Sequence, residues 1–194
     1  FLSHLEVQDA LLRAFRRAGL HLHYTNGHHP HPRISMGPAL MTGAESLDEI
    51  MELWAQVATF DDDKIGAVNR GLPEGLAVAR CSALDAGAPS LGRTLVAASF
   101  EVLRRDPDNG DDDLHRQTAL DGFLQQPEVW LKDHRDRLVE VRGLVQHCGL
   151  VPGGFALRLR QSPAQGGVKP TFVVRAMMGD DVVVGAWHTI KTKS

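Results

Sequence analysis

From Asn26 to Pro38 the chain reads N-G-H-H-P-H-P-R-I-S-M-G-P, with three histidines, His28, His29 and His31, set among prolines and followed by Arg33. Four chemistries fit these residue types. A metal site needs imidazoles that converge, each held by a further partner. His29 and His31 can point the same way on extended backbone, whereas His28 then faces elsewhere, so His4 or a carboxylate must complete the set. Acid–base catalysis needs two histidines that exchange a proton near neutral pH; a hydrolase or ribonuclease would centre on His4, His29 and His31. Recognition needs a stiff loop with close backbone approach and a forked cation. The prolines, Gly27, Gly37 and Arg33 supply these. The fourth reading is a rigid surface hairpin whose histidines bond to backbone. Recognition is the favoured reading, and no metal site is favoured; the set His4, His29 and His31 is the alternative.

Other stretches have simpler explanations. Ser3 and His4 are adjacent and cannot readily form a nucleophile–base pair, while Ser3 and Glu6 have the spacing of a capping box. Arg13 and Arg17 lie four apart and share a helix face; with Arg16 they crowd the end of the first helix, where cations suit the macrodipole. Asp61–Asp63 and Asp111–Asp113 fit helix starts better than cation sites. Gly166 to Pro170 lacks the pattern of a phosphate-binding loop and reads as a turn. Trp54, Trp130 and Trp187 are scattered on strands and are assigned to core packing.

Composition bounds the function classes. A length of 194 residues, 43% hydrophobic and 23% charged, allows one sizeable domain or two small ones. A net charge of -3 gives no global reason to bind nucleic acid, so any such site must be local. The two cysteines, Cys81 and Cys148, form no paired motif, which leaves neither a disulfide framework nor a cysteine metal site and suits a cytoplasmic setting. No apolar run reaches the roughly 18–20 residues of a membrane span. The chain opens on Phe1 rather than Met, so a native start upstream is expected.

The elements that must position these residues follow from periodicity. Ser3 caps a helix whose Val7, Ala10, Leu11, Ala14, Phe15 and Ala18 recur at helical spacing, with Gly19 closing it. Strands are expected at 21–25, 33–40, 50–57 and 76–84, with a helix at 61–69. This order, β-α-β-β-α-β, is that of a ferredoxin-like unit. Residues 85–93 read as a linker. Beyond it come a strand at 94–105, an acidic loop at 106–113, a helix at 114–125, strands at 129–132, 138–144 and 155–161, a helix at 171–178 and a closing strand at 182–189. The expected fold is therefore α+β, with two ferredoxin-like halves built on antiparallel sheets: 1–84, and 94–194 with an extra strand.

Several stretches resemble one family. They are Phe1-Leu2-Ser3-His4-Leu5-Glu6, Arg16-Arg17-Ala18-Gly19-Leu20, the run from Tyr24 through His29-Pro30-His31-Pro32-Arg33-Ile34-Ser35-Met36-Gly37-Pro38 to Leu40, Leu72-Pro73-Glu74-Gly75-Leu76 and Gly167-Val168-Lys169-Pro170. Together they are similar to the radical-SAM-linked family, a bacterial domain found beside, or fused to, a B12-binding radical SAM protein. His28 stands where that family carries an aromatic residue. The resemblance implies a partner that brings an iron–sulfur cluster, S-adenosylmethionine and possible cobalamin chemistry, with no cofactor in this chain. It implies no catalytic residue here. The chain is then expected to be an accessory domain presenting Arg13, Arg17, Tyr24, His29, His31, Arg33 and Ser35 to a phosphate-bearing substrate, with RNA the favoured one. A protein-docking module for the radical SAM partner is the further alternative.

Overall fold

The computed structural model describes residues 2–56, 59–85, 87–106, 113–133, 135–162, 166–179 and 186–193. Phe1, Val57, most of the acidic loop with Asp111 and Asp112, and residues 182–185 of the expected closing strand lie outside the described residues. In chain order the elements are α1 (His4–Arg17), β1 (His21–Leu22), β2 (Ile34–Met36), β3 (Ala44–Ser46), β4 (Met51–Leu53), β5 (Ala55–Gln56), α2 (Asp62–Asn69), α3 (Leu91–Thr94), β6 (Ala97–Arg104), α4 (Asp113–Gln125), β7 (Trp130–Lys132), β8 (Leu138–Glu140), β9 (Val145–Val151), β10 (Gly154–Ser162), β11 (Gly166–Gly167), α5 (Pro170–Met178) and β12 (Trp187–Lys193). The fold mixes α-helices with several antiparallel sheets, and the chain divides into two compact units, 1–39 with 51–91, and 40–50 with 92–194.

In the first unit, local chemistry fixes both ends of α1. The Ser3 amide donates to Glu6 Oε2 at 2.7 Å and the Glu6 amide to Ser3 Oγ at 3.3 Å, so two orphan N–H groups are satisfied reciprocally. At the other end Gly19, at φ 79°, turns the chain into the left-handed region. Its amide bonds Arg16 C=O and the Leu20 amide bonds Phe15 C=O, a Schellman closure. Leu11, Ala14, Phe15, Leu20 and Val68 form the buried centre, flanked by Leu22, Met36, Met51 and Leu53 from the strands. The Asp61 carboxylate caps α2 by accepting from the Lys64 amide. Gly71 permits the close crossing of the two helices: a Cβ there would sit 3.3 Å from Val68 O and 3.4 Å from Ala14.

The strands of this unit are shorter than the sequence predicts. β1 pairs β5 and β2 pairs β4, both antiparallel, so the single stretch expected at 50–57 changes partner at Trp54. The strand expected at 76–84 does not form. There Asn69 replaces a strand partner: its side-chain amide donates to Val78 C=O at 3.0 Å and its Oδ1 accepts the Val78 amide at 2.8 Å.

The second unit carries a six-stranded sheet. β9, β10, β6 and β12 are neighbours in that order and all antiparallel, β11 extends the β10 edge, and β3 adds beside β12 in parallel. The alternation along β6 buries Ala98, Phe100 and Val102, which pack with Phe155, Leu157 and Leu159 of β10, Phe123 of α4 and Val173, Val174 and Met177 of α5. β9 was not foreseen, because the adjacent polar pair Gln146-His147 breaks the alternation and a register shift follows opposite Arg158 and Leu159. β3 was also missed; at three residues, Ala44-Glu45-Ser46 has too little pattern to read. The expected strand at 138–144 ends at Glu140. The Glu140 carboxylate accepts from the Arg142 and Gly143 amides and winds the chain into a single 3-10 turn.

Candidate functional site

The histidine stretch folds as a hairpin. Thr25 N–H donates to His31 C=O at 2.8 Å, His31 N–H to Thr25 Oγ1 at 3.0 Å, and Tyr24 bridges Pro32. Gly27, at φ 129°, opens the tip, where a β-carbon would be strained. At the hairpin base three backbones form a closed ring. Arg33 N–H donates to His23 C=O at 2.7 Å, His23 N–H to Trp54 C=O at 2.8 Å, and Trp54 N–H to Arg33 C=O at 3.0 Å. The partner switch at Trp54 thus leaves none of these amides orphaned.

Register decides which side chains share a face. Pairing His23 with Arg33 and Thr25 with His31 puts these four on one side; Leu22, Tyr24, Pro32 and Ile34 take the other. The pairing of Ile34 with Leu53 and of Ser35 with Glu52 adds Ser35, Glu52 and Trp54 to the first side. That side faces solvent: His21, His23, His31 and Arg33 are exposed, and Trp54 keeps 40% of its surface. The Arg33 guanidinium carbon lies 4.9 Å from the Trp54 ring centroid, a cation–π distance. Among the described residues Glu52 is the one acid on this face, and it is half-buried opposite Ser35. His28 and His29 are exposed at the tip. Among the described residues no group of three or more His, Cys, Asp or Glu side chains is placed to hold a metal ion, so His4, His29 and His31 are not gathered into one.

Tyr24 belongs to the opposite, helix-facing side. Its hydroxyl accepts from Arg16 Nη2 at 2.9 Å. Arg16, rather than Arg13 or Arg17, is the arginine that meets the hairpin.

Arg13 and Arg17 instead line a cleft of about 500 Å³ between α1 and the end of α2. Arg70, the residue after α2, joins them, with Glu6, Asp9 and Ala10 on one wall and Gly71, Leu72 and Pro73 on the other. Within the described residues the Arg13, Arg17 and Arg70 side chains make no hydrogen bond or ion pair. The Glu6 carboxylate is held below its usual range by the Ser3 amide and hydroxyl, so one of the two acids is already engaged.

The family model described as an uncharacterized protein conserved in bacteria (DUF2344) matches residues 1–170. The chain belongs to this family. The searches of curated proteins and of solved structures return no match. The DUF2344 match takes in the whole first unit, hairpin and arginine cleft included. Among the described residues no helix is long and apolar enough to cross a membrane.

Two residues of these surfaces were not anticipated. Trp54 was assigned to the core, although Met51, Leu53 and Ala55 alternate with Glu52, Trp54 and Gln56, which places the tryptophan on the polar face. That alternation was the available signal. Arg70 carried none, because its closeness to α1 depends on the helix crossing at Gly71.

Proposed function

We propose that this chain is the substrate-binding module of a radical SAM system and that its first unit binds RNA on the solvent face of the hairpin. The observation that carries the reading is Arg33 stacked on a solvent-exposed Trp54. Single-stranded bases stack on aromatic rings and on guanidinium planes, and arginine also pairs with phosphate. His21, His23, His31 and Ser35 on the same face offer hydrogen bonds to base edges and sugars. His29 at the tip lies within the same hairpin. The tie to a radical SAM partner rests on the residue resemblance, most specific from Phe1 to Leu40; that partner would supply the iron–sulfur cluster and S-adenosylmethionine, with cobalamin the further candidate. The ferredoxin-like arrangement, often used to recognise RNA, is supported for the second unit by its strand order β9-β10-β6-β12, with α4 following β6 and α5 following β10. This is analogy at the level of fold.

The test is binding of single-stranded RNA by the native protein at two salt concentrations, beside Arg33→Ala and Trp54→Ala variants matched for thermal stability. The expected result is salt-dependent binding by the native chain that both variants weaken. Equal binding by all three would remove RNA from this face. If no form binds RNA while the protein co-purifies with a radical SAM protein through the hairpin, the docking alternative takes its place.

A further inference from the structure

The RNA reading leaves the second arginine cluster unused. Arg13, Arg17 and Arg70 line one cleft, and their side chains have no hydrogen-bond or ion-pair partner among the described residues, so like charges are gathered there. Arg13 and Arg17 stand one turn apart on α1, and Arg70 enters from the end of α2. The opposing acids are Asp9 and Glu6, the latter bonded to the Ser3 amide and still charged, so three cations face two anions. The cleft therefore carries a cationic excess.

We infer that the cleft is a binding site for a phosphate monoester, gripped by Arg13, Arg17 and Arg70. Each guanidinium offers a planar fork, and a monoester presents three terminal oxygens, so three forks can each take an edge of one group. A carboxylate has two oxygens and a single charge and satisfies the set less well. At about 500 Å³ the cleft falls in the size range of small-molecule sites, larger than phosphate alone needs. Leu2, Leu72 and Pro73 give the organic part apolar contact, and Asp9 can accept a hydroxyl from it. The same chemistry can come from a phosphorylated small metabolite or from the 5′ end of a nucleic acid. This site is independent of RNA binding at Trp54.

The test uses the full chain with adenosine 5′-monophosphate, inorganic phosphate, and oligonucleotides that differ only in a 5′-phosphate or 5′-hydroxyl. Arg13→Gln, Arg17→Gln and Arg70→Gln should each weaken binding of the phosphate probes about tenfold or more, the loss of one charge-assisted fork. Arg135→Gln, at an exposed arginine of the second unit, should leave it unchanged. Arginine modification by phenylglyoxal, followed by peptide mapping, gives a readout on the unmutated protein: adenosine 5′-monophosphate should protect Arg13, Arg17 and Arg70 but not Arg33. Tighter binding of adenosine 5′-monophosphate supports the site with a metabolite as its source; tighter binding of the 5′-phosphorylated oligonucleotide over its 5′-hydroxyl twin supports it with a nucleic-acid end. Absence of protection by any phosphate probe, or cleft variants that bind like the native chain, would overturn the site. RNA binding that persists through Arg33 and Trp54 in that case leaves the hairpin reading intact.

Discussion

Arg16 donates from Nη2 to the Tyr24 hydroxyl at 2.9 Å, with its guanidinium carbon 6.0 Å from the tyrosine ring centroid, and so ties the last turn of α1 to the hairpin. Both residues are exposed, and such a bond contributes about 0.5–1.5 kcal/mol. Burying Leu11 or Phe15 contributes roughly 1.5–3 kcal/mol each, so packing holds the unit together while the bond aims the hairpin. Tyr24→Phe should therefore cost about 1 kcal/mol or less in denaturant unfolding. Amide exchange at Thr25 and His31 should quicken while exchange in α1 stays as it was. Unchanged exchange at those two amides would mean that the backbone ring at His23, Arg33 and Trp54 positions the hairpin alone.

Arg33 and Trp54 should fail differently when RNA is the ligand. Loss of one stacked base costs about 1–3 kcal/mol, so Trp54→Ala should weaken binding roughly 5- to 150-fold and leave the salt slope as it is. Arg33→Ala should lower the slope by about one phosphate contact. Arg33→Lys separates the two roles of that side chain: it keeps the charge and the slope, but loses the planar stack on the indole. Titration of each variant with the same oligonucleotide at two ionic strengths reads all three outcomes.

What the sequence discloses here depends on the range over which each contact acts. The capping box, the Gly19 closure and the Asp61 cap use partners within a few residues, and each is found where spacing places it. α1 is likewise legible from a buried stripe that repeats within one element, α2 and α4 from the acids at their starts, and α5 from Pro170 in its first turn. β3 and the Asn69–Val78 clasp were hidden, since each needs a partner that only the tertiary fold supplies. The candidate site divides in the same way. Spacing alone puts Arg13 and Arg17 on one face, and the hairpin follows from its glycines and prolines. That Arg70 would join the first pair and that Trp54 would underlie Arg33 depend on contacts between residues distant in the chain, although the alternation around Trp54 already puts it on the polar face.

The segment carrying β3 is pinned by a buried cation. Lys191 is 5% exposed, and its Nζ lies 2.9 Å from Glu49 Oε1, which also accepts from Ser46 Oγ at 2.7 Å. Removing the acid leaves a desolvated ammonium, which costs more than removing both charges. Because Glu49 is partly open to water, Glu49→Gln should cost about 1–2 kcal/mol, and Lys191→Met should cost less. The Leu47 amide, which donates to Lys191 C=O at 2.8 Å, reports on the clasp by hydrogen exchange. If Lys191→Met proved the more damaging change, the lysine stem rather than the ion pair would be holding the strand.

The turn joining β7 to β8 should be the acid-labile part of the second unit. Partial desolvation pushes the Asp133 carboxyl up, but the Arg137 side chain and the Arg137 and Arg135 amides outweigh it and bring the pKa down from 3.8 to about 2. The bonds are short: 2.7 Å from the Arg135 amide, 3.0 Å from the Arg137 amide and 2.9 Å from Arg137 Nε. A folded pKa below the unfolded one means the carboxylate's contribution is complete above pH about 4 and is lost as pH falls towards 2. The turn also holds Asp136 at φ 58°, an uncommon conformation for a residue with a β-carbon, so it depends on those bonds. Amide signals of Arg135 and Arg137 should therefore shift together with a midpoint near pH 2, ahead of the β9–β10 ladder. Asp133→Asn should erase that step and leave the turn open at neutral pH; a step that survives the substitution would assign the acid lability to another carboxylate.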